Sequence, residues 1–285
     1  MSQTPLVDVA WLAGALGAPG LVVPGLVVLD ATYYLPNEGK DPEALFTASH
    51  IPGARFFSID GIADPDTDLP HMVPSPFRFA KLVGALGVSR DSHVVVYDQK
   101  GVFSAPRAWW MFGLFGHDRV SVLDGGLPAW LAAGQPVDAG AAPANGAVFV
   151  PDFRASWLRG LGDITENLAR GTELVVDARP AGRFDGSVPE PRPGLPNGHM
   201  PGAVNLPAGS LVVDGHLLPP ASLRARFTAA GVDGTRPVIT SCGSGVSAAV
   251  LTLALRRAGL PQGALYDGSW TEYASRPDTP KVTSG

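Results

Sequence analysis

The sequence predicts an α/β protein in which one unit, a mostly parallel sheet flanked by helices, occurs twice in tandem. Three observations support this prediction. The same landmarks recur in the same order in the two halves, strand-like runs alternate with helix-like stretches, and 285 residues with 45% hydrophobic content can bury substantial cores. Each half is expected to follow the order strand, turn, helix, strand, loop, helix, strand.

Each half opens with a predicted strand that ends in Asp-Ala, at residues 26–31 and 174–178. Both runs are continuous and apolar, which is typical of strands buried on both faces of a sheet. A His followed by a Pro-Gly-Ala turn comes next, at residues 50–54 and 199–203. The first strand and the turn after it are thus matched in the two copies.

A helix follows in each copy. Apolar residues recur at helical spacing in residues 77–86 and 222–230, and Gly87 and Gly231 are placed where a glycine can end a helix. The two predicted helices occupy the same place in the repeat.

The second strand of each copy leads into a glycine-bearing loop and a further helix. The strand ends at Asp98 in the first copy and at Cys242 in the second, so these residues occupy equivalent positions. A last short strand ends in residues 123–126 and 266–269. Alternating strands and helices of this length predict a mostly parallel sheet in each copy.

The stretch at residues 138–147 is rich in Ala, Gly and Pro and has no clear periodicity. Such composition is typical of a linker between domains. We therefore expect an N-terminal domain in residues 1–137, a linker in residues 138–154 and a C-terminal domain in residues 155–285.

The charge balance limits the partners. The formal net charge is -5, so the sequence carries no basic footprint for nucleic acid or anionic lipid, and a small-molecule or protein partner fits better. The apolar stretch from Val9 to Leu29 lacks a basic n-region and is interrupted by Pro19 and Pro24. We expect neither a signal peptide nor a membrane-spanning helix, and we expect a soluble, cytoplasmic protein.

Cys242 is the only cysteine, so it cannot form an internal disulfide or supply the thiolates of a typical structural zinc site. We expect no metal and no other cofactor. An inert, buried thiol is the ordinary alternative to a reactive one. Cys242, however, is predicted to lie at the carboxyl end of a parallel strand, where ligands bind, and before a helix N-terminus. Main-chain N–H groups there stabilise an anionic sulfur, which favours a nucleophile.

Two other loop chemistries are disfavoured. A cysteine-dependent phosphatase would need an arginine near position 248, which is Ala248. A serine-hydrolase elbow around Ser244 would need a glycine two residues upstream, where Cys242 stands.

These motifs resemble those of the sulfurtransferases built from two rhodanese-like domains, and among them the enzymes that use 3-mercaptopyruvate. The resemblance covers nearly the whole chain. It rests on Asp98 in place of a cysteine, on the loop in residues 242–246, and on residues 104–107, 123–126 and 266–270. It implies that the first rhodanese-like domain is non-catalytic and that the second is catalytic.

The resemblance implies a double displacement through a Cys242 persulfide. Sulfur passes from 3-mercaptopyruvate to the cysteine, pyruvate leaves, and a thiol or cyanide then takes the sulfur. The implied physiological acceptor is a dithiol such as thioredoxin. Two alternatives stay open: a thiosulfate:cyanide sulfurtransferase, and a non-catalytic rhodanese-like module for binding or sulfur carriage. The loop after Cys242 is neutral, whereas relatives that prefer thiosulfate usually carry basic residues there.

The resemblance also assigns site residues. Arg183 and Arg192 match positions that hold the donor's carboxylate and keto oxygens, although each could be a solvated loop charge. Ser244 and His50 match a proposed proton relay, with Asp41 as the candidate upstream acid; His50 could instead cap a turn, as His199 could. The remaining residues expected to line the substrate site are Gly243, Gly245, Val246 and Ser247.

Overall fold

The computed structural model describes residues 4–17, 25–141, 143 and 145–284, which form two compact units. The first unit comprises the described residues up to Pro65, with Val73–Arg154 and Asp214–Leu217. The second comprises Asp66–Met72, Ala155–Val213 and the described residues from Leu218 onward. Each unit is therefore built mostly from one half of the sequence and includes a short segment of the other half.

The first unit contains a five-stranded parallel sheet in the order β1-β5-β4-β2-β3. Its strands are β1 (Leu6–Val7), β2 (Leu26–Asp30), β3 (Arg55–Phe56), β4 (His93–Tyr97) and β5 (Val120–Leu123). Its helices are α1 (Val9–Gly17), α2 (Pro42–Ala48), α3 (Ile59–Ile62), α4 (Pro76–Ala85), α5 (Ala105–Leu114) and α6 (Gly126–Ala132), with a 3-10 turn at Pro36–Glu38.

The second unit contains a five-stranded parallel sheet in the order β6-β12-β11-β7-β8. Its strands are β6 (Leu158–Arg159), β7 (Leu174–Asp177), β8 (Val204–Asn205), β11 (Val238–Ser241) and β12 (Ala264–Tyr266). Two further short strands lie outside this sheet: β9 (Val212–Val213) in the second unit and β10 (His216–Leu217) in the first. The helices are α7 (Leu161–Arg170), α8 (Ala181–Asp185), α9 (Pro220–Ala229), α10 (Ala248–Arg257) and α11 (Ser269–Ser275), with 3-10 turns at Ala155–Trp157 and Ala208–Leu211.

The two sheets have the same strand order when each strand is matched by its place in the repeat. The centre of the first is β4 between β5 and β2, and the centre of the second is β11 between β12 and β7. The predicted fold class, two α/β copies with parallel sheets, is therefore confirmed.

The central strands β4 and β11 are buried along their whole length, as expected where both faces of a sheet are covered. Val28 pairs with Val95 in the first sheet, and Val175 pairs with Ile239 in the second. These residues are buried in two separate cores, one of which contains Trp130 and the other Trp270. The carboxyl ends of the central strands are thus fixed by dense packing.

Helix boundaries follow local chemistry. Helix α4 begins after Ser75, whose side-chain oxygen accepts the Arg78 N–H at 3.3 Å, and Pro76 occupies its first turn. Gly87 and Gly231, which follow α4 and α9, both have φ of 81°. This left-handed conformation favours glycine and ends each helix where the sequence predicted.

The two-residue strands were not predicted, because so short a strand carries no periodic signal; they are β1, β3, β6, β8, β9 and β10. Helix α1 occupies the start of the apolar stretch between Val9 and Leu29, whereas Pro19 and Pro24 lie outside the described residues. None of the helices in the described part of the chain has the length and apolar character needed to cross a bilayer.

Main-chain hydrogen bonds hold the stretch after α6 to the first unit. The Asp138 and His50 backbones exchange N–H···O bonds of 2.9 Å, and Asp152 N–H bonds to the Phe115 carbonyl at 2.9 Å. The segment Asp214–Leu217 is held in the same unit, where Leu217 N–H donates to Asp124 Oδ1 at 2.9 Å.

Candidate active site

Cys242 follows the last residue of β11, at the carboxyl end of the central strand of the second sheet. It is 2% exposed, and the loop that it begins leads to helix α10. The position is the one expected for chemistry in a parallel sheet. The sequence predicted this position for Cys242.

A main-chain amide points at the sulfur: Gly245 N–H donates to Cys242 Sγ over 3.1 Å. Gly245 has φ of 80°, a left-handed conformation that a residue with a side chain adopts at a cost. This turn directs the amide inward. A donor in this position can stabilise negative charge that develops on the sulfur during a reaction.

The backbone of Cys242 is anchored to the start of α11. Ser269 Oγ accepts the Cys242 N–H at 3.2 Å, and the Cys242 carbonyl accepts the Trp270 N–H at 2.9 Å. The Gly243 carbonyl accepts Thr271 N–H at 2.9 Å and Thr271 Oγ1 at 2.7 Å. The cysteine loop is therefore fixed on both sides of the nucleophile.

Two guanidinium groups lie next to this loop. A methyl group placed on Gly243 would come within 2.8 Å of Arg183 Nη2 and 3.9 Å of Arg192 Nη1. The structure thus brings the two arginines named from the sequence to Gly243, one residue after the nucleophile. This neighbourhood favours binding of an anionic donor at the cysteine loop.

Arg183 is held by a two-pronged ion pair. Its Nε donates to Glu190 Oε1 at 3.2 Å and its Nη2 donates to Glu190 Oε2 at 2.5 Å. The Glu190 side chain is 2% exposed and the Arg183 side chain is 16% exposed. Sequence reasoning missed Glu190, because an acidic residue in a loop rich in Pro has no pattern that separates a buried ion pair from a solvated charge.

A second arginine, Arg179, also binds the Glu190 carboxylate. Arg179 Nη1 donates to Glu190 Oε1 at 2.7 Å, its Nη2 donates to Asp177 Oδ2 at 2.6 Å, and its guanidinium lies 4.5 Å from the Trp270 ring centre. Burial disfavours the Arg179 cation, but the attraction of Asp177 and Glu190 outweighs this and raises its pKa. Arg179 therefore stays charged inside the core and links the end of β7 to the arginine at the loop.

Arg192 has a neighbour that the sequence did not single out. Its Nη2 lies 3.4 Å from His71 Nε2, with the guanidinium as donor. His71 is buried and has φ of 63°, a conformation uncommon for a residue with a side chain. It lies in the segment Asp66–Met72, which belongs to the second unit although it comes from the N-terminal half of the sequence.

The rest of the cysteine loop is also closely packed. Ser244 is 5% exposed and Val246 is 4% exposed, and Ser247 stands at the N-cap of α10 without a capping hydrogen bond from its side chain. Among the described residues, no group of three or more His, Cys, Asp or Glu side chains could hold a metal ion.

His50 and Asp41 lie in the first unit, whereas Cys242 lies in the second. His50 is 1% exposed, and its Nδ1 lies 2.8 Å from the Phe46 carbonyl oxygen, with the ring stacked on Phe46. Asp41 caps α2 by accepting the N–H groups of Glu43 and Ala44. The relay role of these two residues stays a prediction.

Comparison with known proteins identifies both halves of the chain. The model of the rhodanese-like domain matches residues 8–133 and 161–276. A 3-mercaptopyruvate sulfurtransferase of Rattus norvegicus is 43% identical over 282 residues, which cover 98% of this chain and 95% of the relative. A thiosulfate sulfurtransferase of Gallus gallus is 44% identical over 98% of this chain and 96% of its own length.

A solved structure agrees with this result. SseA from Escherichia coli, a 3-mercaptopyruvate sulfotransferase of rhodanese fold, superposes with a TM-score of 0.84 at 39% identity and covers 94% of this chain and 99% of its own. The resemblance inferred from the motifs is therefore confirmed. The chain belongs to the family of sulfurtransferases that are built from two rhodanese-like domains.

Proposed function

We propose that this enzyme moves a sulfur atom from 3-mercaptopyruvate to a thiol through a persulfide on Cys242. The observation that carries the proposal is the pairing of two features at one loop. A main-chain N–H points at the Cys242 sulfur, and the Arg183 guanidinium lies against the next residue, Gly243. The first suits a thiolate nucleophile and the second suits the carboxylate of its substrate.

In the first half-reaction the Cys242 thiolate attacks the sulfur of the donor thiol. The S–S bond forms as the bond between sulfur and C3 breaks, and the electron pair moves into the enolate of pyruvate. The proton of the donor thiol ends on C3, so the products are pyruvate and a Cys242 persulfide anion. Main-chain N–H groups and guanidinium groups stabilise the negative charge that develops in this step.

We assign the donor's carboxylate and keto oxygens to Arg183 and Arg192. Gly243, Gly245, Val246 and Ser247 form the wall of the same pocket. Ser244, with His50 and Asp41, is our candidate for the relay that carries the proton to C3. His71, 3.4 Å from Arg192, helps to fix that guanidinium.

In the second half-reaction a dithiol is the proposed acceptor. It takes the outer sulfur of the persulfide, becomes oxidised to its own disulfide, and releases hydrogen sulfide while the Cys242 thiolate is restored. Thioredoxin has the required chemistry. We further propose that the enzyme works in the cytoplasm, where reduced dithiols are abundant; cell fractionation tests this placement.

Mass spectrometry after incubation with 3-mercaptopyruvate tests donor and nucleophile together. We expect the peptide that contains Cys242 to gain the mass of one sulfur atom and pyruvate to appear in equal amount. Cys242→Ser should show neither, with an unchanged circular dichroism spectrum, because serine is similar in size but cannot form a persulfide. Pyruvate release by that variant at the wild-type rate would disprove the nucleophile.

A thiosulfate donor is the second candidate, since the relative from Gallus gallus with this name is as similar as the rat enzyme. The neutral loop after Cys242 favours a donor with a single negative charge. We therefore expect kcat/KM for 3-mercaptopyruvate to exceed that for thiosulfate by a large factor. A higher kcat/KM for thiosulfate than for 3-mercaptopyruvate would make thiosulfate the assigned donor.

A further inference from the structure

We propose that Glu190 is a positioning and specificity residue of the donor site. It orients Arg183 toward the carboxylate of the donor. Its negative charge also offsets positive charge in the site, which suits a keto acid with one negative charge. This inference rests on the proposed function, because it concerns the donor that Cys242 attacks. It adds a role for a residue that does not touch the reacting atoms.

The first argument is geometric. Glu190 binds Arg183 at two points, through Nε and Nη2. A carboxylate that grips one edge of a guanidinium fixes the plane of the whole group. Neither of these two bonds uses Nη1, and the group faces Gly243, since a methyl group there would lie 2.8 Å from Nη2. Glu190 thus presents Arg183 to the cysteine loop in one orientation.

The second argument is rigidity. Glu190 is itself held by Arg179, which is buried and bonded to Asp177 and to the Gly198 carbonyl at 2.8 Å. Asp177 is the last residue of β7, so a continuous series of ion pairs runs from the sheet to Arg183. A substrate-binding arginine on a short helix, α8, gains its fixed position from this series.

The third argument is charge. Asp177, Arg179, Glu190 and Arg183 form a network of two carboxylates and two guanidinium groups, and its formal charges cancel. Without the Glu190 charge the network would carry one net positive charge beside the loop. 3-Mercaptopyruvate reacts as a thiol with one negative charge, whereas thiosulfate carries two. Glu190 therefore disfavours the donor with the higher charge.

The decisive variant is Glu190→Gln. We expect kcat/KM for 3-mercaptopyruvate to fall about tenfold or more, because Arg183 loses its orientation, and the thiosulfate to 3-mercaptopyruvate ratio of kcat/KM to rise about tenfold. Transfer from preformed Cys242 persulfide to a thiol in a single turnover should keep its wild-type rate, since no donor is bound in that step. A purely structural role would slow both half-reactions alike.

Glu173→Gln is the matched control. Glu173 binds Arg159 in the same unit with the same two-pronged geometry, through Nε at 3.0 Å and Nη2 at 2.9 Å. We expect this variant to leave the donor ratio within about twofold of the wild type. A shift as large as that of Glu190→Gln would overturn the proposal, because any lost carboxylate would then have the same effect.

Glu190→Asp separates the two roles and serves if the glutamine variant does not fold. It keeps the charge but shortens the side chain, so we expect a lower kcat/KM for 3-mercaptopyruvate with a donor ratio close to that of the wild type. An unchanged donor ratio in folded Glu190→Gln, or a shifted ratio in Glu190→Asp, overturns the proposal. Wild-type enzyme that forms no persulfide from 3-mercaptopyruvate would instead overturn the proposed function.

Discussion

Asp98 occupies in the first unit the position that Cys242 occupies in the second. Each residue directly follows the central strand of its sheet, β4 for Asp98 and β11 for Cys242. The Asp98 carboxylate is fully buried and accepts four main-chain N–H groups at 2.8–2.9 Å, which come from Lys100, Phe103, Ser104 and Ala105.

Main-chain N–H groups of this loop thus point at the side chain that follows the central strand. In the first unit that side chain is a carboxyl group, which cannot carry sulfur. In the second unit the same place is held by a sulfur atom with the Gly245 N–H directed at it. The equivalent position of the repeat therefore holds an aspartate in the first unit and a cysteine in the second.

Asp98→Ala should destabilise the protein strongly. Four N–H groups would lose their acceptor, and buried donors without partners are costly, so we expect the free energy of unfolding to fall by about 3 kcal/mol or more. Urea denaturation measures the change. Asp163→Ala, which removes an exposed acceptor of the Gly160 N–H, should cost only about 1 kcal/mol. Equal losses in the two variants would contradict this account.

Asp30→Asn should change how stability depends on pH. Burial raises the pKa of Asp30 above its ordinary value, although bonds from Thr32 oppose this shift. The folded state therefore takes up a proton at higher pH than the unfolded chain does. The stability contributed by this group is greatest below the ordinary aspartate pKa and is lost as the pH rises through the raised value.

Asparagine can keep the bonds from Thr32, and the Gln99 amide can turn to accept its N–H, so the substitution removes mainly the titration. We expect the free energy of unfolding of wild type, relative to the variant, to increase as the pH falls from 7 toward the ordinary aspartate range. Chemical denaturation at several pH values measures this difference. A difference that does not vary with pH would mean that Asp30 titrates alike in the folded and unfolded chains.

Gly243→Ala should impair use of 3-mercaptopyruvate. The added methyl group would meet Arg183 Nη2 at 2.8 Å, so the guanidinium has to move away from the cysteine loop. We expect kcat/KM for this donor to fall about tenfold. Gly162→Ala is the control, because a methyl group there meets no atom within 4 Å. Wild-type kinetics in Gly243→Ala would show that Arg183 does not bind the donor.

His50→Ala and His199→Ala form a matched pair. Each histidine has its Nδ1 2.8 Å from the carbonyl oxygen of a Phe and stacks on that ring, Phe46 for His50 and Phe184 for His199. Both variants should therefore lose similar stability, about 2 kcal/mol. Because we place His50 in the relay, we expect only His50→Ala to have a kcat lower than that of the wild type. The assay is run at a temperature at which both variants are folded. An unchanged kcat would leave His50 the turn role alone.

Much of this architecture was predictable from the sequence because each signal is local. Continuous apolar runs marked β2 and β7, and Gly87 and Gly231 marked two helix ends. Cys242 was predictable because a strand, a glycine-bearing loop and a helix follow one another along the chain, and this order alone sets where a residue lies in a parallel sheet.

The support of the site was not predictable, because it depends on contacts between segments that are distant in sequence. His71 lies in a loop without periodicity, and only the folded chain brings it to Arg192, 121 residues away. Arg179 and Glu190 lie in segments whose composition is typical of surface loops. Both side chains are nevertheless buried in one ion-pair network. Sequence patterns report burial of apolar residues well, but they do not report burial of paired charges.

The exchange of short segments between the two units decides what a truncated chain would contain. The chain passes from one unit to the other after residues 65, 72, 154, 213 and 217, so a cut within residues 138–147 would not yield two whole copies. The C-terminal fragment would lack the hydrogen bond between Arg192 and His71. The N-terminal fragment would lack the hydrogen bond from Leu217 to Asp124. A gene fragment that encodes either half alone would therefore specify an incomplete unit.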